Sequence, residues 1–228
     1  MHIAPPRLHA AFALACSPRR GGNTDAAAQA FCQGFTVEGG RIDPLCLRDQ
    51  RILPCVACDA CSRFAPAYVA RQEEAGPAVL AGHAARICPL AAQDDSTELF
   101  ARLYTAQALF IASPIYFCHL PAQLKGFIDR GQTFWMLRSH QEPAITSLPE
   151  RPAWMALTAG QPRGERMFEG ALLTLRHFCE LFNFKLQKPL LLPGFDGLTD
   201  LARTPPALEH VRRFGAQAAQ KTRSASKP

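Results

Sequence analysis

No apolar run in this 228-residue chain approaches the ~20 residues that would cross a bilayer. Met1 to Arg7 contains prolines and no apolar core, so it does not read as a secretion signal. A cytoplasmic protein without a membrane partner is the expectation. The Gly-x-Gly-x-x-Gly fingerprint of dinucleotide folds is missing, and no Gly-Lys-Ser/Thr closes a triphosphate-binding loop. Lysine and arginine exceed aspartate and glutamate by 25 to 19, a net charge of +6, yet they form no outstanding run. Nucleic-acid binding is therefore set aside, and a phosphate or nucleotide ligand accounts equally well for the surplus.

What the sequence has is a core. Its hydrophobic share is 48%, and its length suits one α/β domain with decoration. Leu8 to Ala15 is apolar on both alternating faces, as a central parallel strand should be. An Ala-rich helix follows from Ala26 to Phe35. Arg41 to Leu47 contains a second strand that Pro44 pushes toward a sheet edge. Asp94 to Glu98 opens an acidic, capped helix reaching about Ala106. Then come a strand at Ala108 to Ala112, a helix from Pro121 to roughly Arg138, and a strand at Ala153 to Thr158. A long helix at Glu165 to Phe182, a last strand within Phe184 to Leu192 and a final helix from Pro206 to about Thr222 complete the series. Five strands alternating with helices predict a parallel sheet covered on both faces. The main domain is read as residues 1–222, with an insertion at 48–92 and a flexible tail at 223–228.

Ligands of such sheets lie beyond the carboxyl ends of the strands. Three loops fall there. The first, Ser17-Pro-Arg-Arg-Gly-Gly-Asn-Thr24, joins a buried strand to a helix start. Unpaired N–H groups and a partial positive charge at that start form an anion site. Ser17, Asn23 and Thr24 add side-chain donors, Arg19 or Arg20 adds charge, and Gly21-Gly22 permits a tight backbone. The bland alternative is an ordinary capped helix, with Asn23 or Thr24 as cap. The second loop, Ser113-Pro-Ile-Tyr-Phe117, is apolar and aromatic and can line a flat conjugated ring. Core packing of Tyr116 and Phe117 is the competing reading. The third, Thr158-Ala159-Gly160, offers a hydroxyl and a close approach. A phosphate at one end and a planar heteroaromatic at the other describe flavin mononucleotide (FMN).

CSPRRGGNTD, PCVACDAC, DDSTELF, SPIYF, LKGFIDR and TAG occur in the order seen in the NAD(P)H-dependent FMN reductases of the flavodoxin-like fold. Over roughly Leu8 to Gly160 the chain resembles that family, and most of all its iron–sulfur flavoprotein branch. The resemblance implies a three-layer sandwich with a five-stranded parallel sheet of order 2-1-3-4-5 and a Cys-containing insertion after strand 2. It implies that Ser17, Arg19, Gly22, Asn23 and Thr24 hold the FMN phosphate. Pro114, Ile115, Tyr116 and Phe117 would border the isoalloxazine, with Thr158, Ala159 and Gly160 on its other side. Cys16 stands where the family usually has Gly. Electrons would pass from NAD(P)H through the flavin to a flavin, quinone or similar small acceptor. No side chain is required as an acid; Tyr116 is the one catalytic candidate, as donor or stacking wall. A homodimer or homotetramer is implied as well.

Nine cysteines without a secretion signal argue against a disulfide framework. Cys55, Cys58 and Cys61 are spaced by two residues, so a turning backbone can aim three thiolates at one centre. A bacterial ferredoxin run uses these gaps and ends in Cys-Pro, and Cys88-Pro89 is the next cysteine here. Four thiolates suit a [4Fe–4S] cluster, which would make the chain an electron carrier between FMN and a ferredoxin-like partner. In the flavoproteins it resembles, the fourth Cys lies only a few residues on, whereas positions 62–87 intervene here. Structural zinc, redox-active thiols and no metal at all remain open, as does a non-enzymatic nucleotide-binding module.

Overall fold

The structure is a computed structural model in which residues 10–71 and 87–225 are described. Leu8 and His9 of the expected first strand, positions 72–86 of the insertion and 226–228 of the tail lie outside the described residues. Strand β1 (Ala11–Ala15) leads into helix α1 (Asn23–Val37) and strand β2 (Ile42–Cys46). After the insertion, with helix α2 (Ala60–Arg71), come α3 (Ser96–Thr105) and β3 (Leu109–Pro114). Helices α4 (Ala122–Arg130), α5 (Gln132–Ser139) and α6 (Pro143–Thr146) precede β4 (Arg151–Ala159). Helix α7 (Glu169–Leu181), strands β5 (Phe184–Leu186) and β6 (Leu190–Pro193), and α8 (Pro205–Ala225) close the chain. Among the described residues, no helix is long and apolar enough to cross a membrane.

All strand pairs are parallel, in the order β2-β1-β3-β4-β5 with β6 also on β4. This is the flavodoxin-like order expected. The last strand differs from expectation in being broken. β5 pairs with Arg151–Ala153 and β6 with Ala156–Ala159, both on the same edge of β4. Pro189 lies in the gap and lacks the N–H a continuous ladder needs. Two helices are also subdivided. Gly131 separates α4 from α5, and a 3₁₀ turn at Glu165–Phe168 precedes α7. Helix α8 runs past Thr222 to Ala225, so the expected tail is helical at its start.

Strand residues feed two cores by simple alternation. Phe12 and Leu14 of β1, Leu109 and Ile111 of β3, and Met155 and Leu157 of β4 join the core under α3, α4, α5 and α7. Ala11, Ala13, Phe110, Trp154 and Ala156 join the other, under α1 and α8. The small alanines admit a close second layer. Gly34 and Gly215 bring α1 and α8 into backbone contact. A Cβ on Gly34 would lie 1.9 Å from the Arg212 carbonyl oxygen, and one on Gly215 would lie 2.1 Å from that of Phe31. Helix α1, whose first turn faces the first loop, is thereby fixed along its length.

Candidate functional site

The carboxyl ends of β1, β3, β4 and β6 surround a cavity of about 130 Å³. Its walls include Ser17, Arg19, Gly22, Asn23 and Thr24 from the first loop and Pro114, Ile115 and Tyr116 from the second. Thr158 and Gly160 come from the third. The register explains the meeting, because Pro114 of β3 aligns with Thr158 of β4. A buried hydrogen bond of 3.1 Å between the Thr24 and Thr158 hydroxyls ties loop one to loop three.

The first loop is tightly organised. Gly21 takes a positive φ of 65° and donates its N–H to Asp25 Oδ2 at 2.8 Å. The Arg19 N–H donates to the buried Ser17 hydroxyl at 3.1 Å. Helix α1 starts at Asn23 with Gly22 as an extended N-cap that makes no side-chain capping bond. Its first-turn N–H groups thus gain no side-chain cap, the condition in which a helix start attracts an anion. Asp25 in that turn would oppose an anion, but Arg48 Nη1 pairs with it at 2.8 Å and also reaches the Ser17 carbonyl at 3.2 Å. The hydrogen bond to Asp25 holds the Arg48 guanidinium above its ordinary pKa, so it stays charged.

Three expected roles change on inspection. The Asn23 amide is already used: Nδ2 donates to the carbonyls of Phe195 and Gly197 at 3.0 and 2.8 Å, and Oδ1 accepts from the Leu201 N–H at 2.9 Å. Its side chain clamps the 195–201 loop, leaving the backbone to face a ligand. Phe117 does not line the cavity; it is fully exposed. Ala159 is also absent from the cavity wall and packs into the core. Tyr116 does line it, partly exposed.

Phe117 and Cys118 form the tip of a two-residue hairpin. Tyr116 and His119 exchange both backbone hydrogen bonds at 2.9 Å, and the tip residues have φ of 49° and 59°. Positive φ at both positions is a turn that favours Asn-Gly. For non-glycine residues the left-handed conformation costs ~1–2 kcal/mol each. A 3.1 Å hydrogen bond between His119 Nε2 and the Thr174 hydroxyl anchors the hairpin to α7.

A fourth loop escaped the sequence reading. Phe195 and Asp196, just after β6, complete the cavity wall. The rule that selects the other three loops also applies here, but the expected last strand within Phe184 to Leu192 gives no separate end for β6. Arg48 was missed because its partner Asp25 lies across the β1–β2 pair, which no local pattern reports.

The cysteine segment is stitched to the domain at its base. The Arg51 N–H donates to Asp95 Oδ2 at 2.7 Å, and the Asp95 N–H returns to the Arg51 carbonyl at 2.9 Å. The Leu53 N–H donates to Asp94 Oδ2 at 2.9 Å. Arg130 of α4 binds Asp94 Oδ2 at 2.6 Å, the Leu53 carbonyl at 3.0 Å and the Ser96 hydroxyl at 2.9 Å. Both charged side chains are buried. Within this clasp, Ala57 and Asp59 take positive φ of 50° and 58°, curling the chain between the cysteines. Cys55 and Cys58 are exposed, while Cys61 Sγ lies 3.2 Å from the buried Thr133 hydroxyl. The Cys61 thiol is pushed up in pKa, chiefly by burial, with the Thr133 contact opposing and Cys88, Cys55 and Cys58 each adding to the rise. Among the described residues, however, no three Cys, His, Asp or Glu side chains are close enough to hold a metal ion.

The profile of the NADPH-dependent FMN reductase family matches residues 10–181. Two curated relatives are both iron–sulfur flavoproteins. That of Methanosarcina thermophila is 26% identical over 114 residues, 50% of this chain and 48% of its own. That of Methanocaldococcus jannaschii is 28% identical over 116 residues, 51% and 48%. The chain thus spans about half the length of the curated relatives it matches. Among solved structures, an NAD(P)H:quinone oxidoreductase from Methanothermobacter marburgensis superposes with a TM-score of 0.57 at 19% identity, covering 91% of this chain and 94% of that one. An FMN-dependent NADH-azoreductase from Bacillus anthracis gives 0.60 at 12%, covering 92% and 98%. At these identities the likeness establishes the fold.

Proposed function

The chain belongs to the NADPH-dependent FMN reductase family, and from that membership we propose that it is an FMN-dependent oxidoreductase taking electrons from NAD(P)H to a flavin, quinone or similar small acceptor. The observation that carries the proposal is the meeting of loops one to four around a single cavity that starts on a helix N-terminus. Ser17, Arg19, Gly22, Thr24 and the Asn23 backbone would hold the phosphate, with Arg48 neutralising Asp25 behind them. Pro114, Ile115 and Tyr116 would border the ring from one side, and Thr158 and Gly160 from the other. The cavity is small beside the ~300–1,000 Å³ usual for ligand pockets, so a flavin would extend past it onto the surface beside Tyr116. Bound FMN would supply the hydride and electron chemistry; the protein's share is position and electrostatics. The hairpin at Tyr116–His119 would set where the flavin's exposed face begins, and no side chain in the cavity need transfer a proton. Cytoplasmic location and assembly as a homodimer or homotetramer belong to the same proposal, with Phe117, Trp135 and Leu173 as large exposed apolar side chains that a second copy would cover.

A second reading, an electron carrier with a [4Fe–4S] cluster serving a ferredoxin-like partner, draws on the relatives' names, on the clasp and on the curled Ala57 and Asp59 backbone. Its ligands would be Cys55, Cys58, Cys61 and Cys88. As they stand these thiols do not form a ligand group, so the exposed 55–59 loop would have to draw inward. No step of the mechanism depends on it. One anaerobic sample separates the readings. The reductase predicts FMN bound one per chain and bleached rapidly by NADPH or NADH. The carrier predicts iron and sulfide near ~4 per chain and reduction by a protein donor, with little response to nicotinamide. Protein that neither retains nor quenches FMN overturns both.

A further inference from the structure

A second cavity, of about 290 Å³, lies at the opposite end of the sheet, where β4 and β5 begin. From Arg151 to Thr158 the strand rises through seven steps, or ~23 Å at ~3.3 Å each, so this cavity is remote from the FMN-type loops. Arg138 of α5, Arg176 of α7 and Lys185 of β5 line it. Arg138 is the telling residue. Its Nη1 is buried without a hydrogen-bond partner, and its guanidinium makes no ion pair among the described residues. Three other arginines, at 48, 130 and 151, each leave only Nε unpaired while their terminal nitrogens are bonded. Arg176, which is exposed, makes no ion pair among the described residues. Arg138 as a whole is half-buried, so the rest of its guanidinium edge can reach the cavity and offer an oxyanion two parallel bonds.

Two carboxylates also border the cavity, and both are partly engaged. Glu150 lies 3.3 Å from Lys185, and Glu180 lies 3.3 Å from His177. Three cations against two carboxylates leave the cavity net positive. Phe184 and Leu186 add an apolar wall.

We propose that this cavity is a binding site for a small organic oxyanion, a carboxylate or phosphate on a compact apolar body, held by Arg138 and Arg176. The site is independent of the flavin reading. Phenyl phosphate and benzoate serve as probes, titrated calorimetrically into the full chain at constant ionic strength, with and without saturating FMN. The expected result is saturable one-to-one binding of at least one probe, with the same affinity in both conditions. Preference between the two probes identifies the anionic group. Arg138→Met should weaken binding at least tenfold. Arg176→Gln, on an exposed helix face, should weaken it several-fold without disturbing the fold. Absence of saturable binding by either probe, wild-type affinity in both variants, or loss of binding when FMN is present would overturn the proposal.

Discussion

At the scale of the residue, Asp25 beside the first loop is paired with an arginine from outside that loop. Asp25 sits in the first turn of α1, where it favours the helix dipole but would repel a phosphate. Arg48 cancels it from across the β1–β2 pair. Arg48→Met should therefore weaken FMN binding by about 1–3 kcal/mol, or roughly five- to 150-fold, as read by quenching of flavin fluorescence. Adding Asp25→Asn should restore part of that loss, because the uncompensated charge goes with it. An unchanged affinity in Arg48→Met would refute this role. Asn23 teaches the complementary lesson. Its residue type suggested a ligand donor, but three backbone groups of the 195–201 segment consume its amide. Residue type shows what a side chain can bond, and only the fold shows what it does bond.

At the scale of the element, the Asp94–Arg130 clasp decides whether the cysteine segment has a fixed base. The two side chains are buried and share the Leu53 and Ser96 backbone or hydroxyl groups. Burial works against ionisation of Asp94, but its hydrogen bonds to Ser96, Leu53 and Arg130 outweigh it and hold the carboxyl below its ordinary pKa. A carboxyl depressed in the folded state contributes stability above its unfolded value of ~3.9, and that contribution is lost as pH falls through the folded value. The clasp should therefore be at full strength at neutral pH and fail only in the acid limb. Asp94→Asn should cost ~3–5 kcal/mol at pH 7 by leaving Arg130 buried and uncompensated. Its deficit relative to wild type should shrink toward pH 2, measured by denaturant unfolding across pH. A deficit independent of pH would show that packing rather than charge is at stake. The acidic start at Asp94–Glu98 was legible as a helix cap, and Asp94 does bind the Ser96 N–H. That it also grips an arginine 36 residues away is a tertiary fact with no local signature.

At the scale of the whole molecule, the alternation of apolar strands and helices was enough to give the sheet, its parallel sense and the end at which the loops meet. Strand alternation is a local property, and burial on both faces writes it directly into β1, β3 and β4. The break between β5 and β6 was hidden because Phe184, Leu186 and Leu190–Leu192 frame one strand-length segment, and whether Pro189 interrupts its ladder depends on the pairing with β4. Three of the four loops at the cavity followed from strand ends. The fourth was hidden behind that same break. The cysteine spacing could not say whether the thiols converge on a metal, and among the described residues they form no metal-holding group.

The central claim is that loops one to four read a flavin through its phosphate, and comparing FMN with riboflavin under identical conditions tests it most directly. The two differ only in that phosphate. The account predicts one FMN per chain and riboflavin weaker by at least ~100-fold, about 2.7 kcal/mol. Equal affinities, or no binding of either, would contradict it.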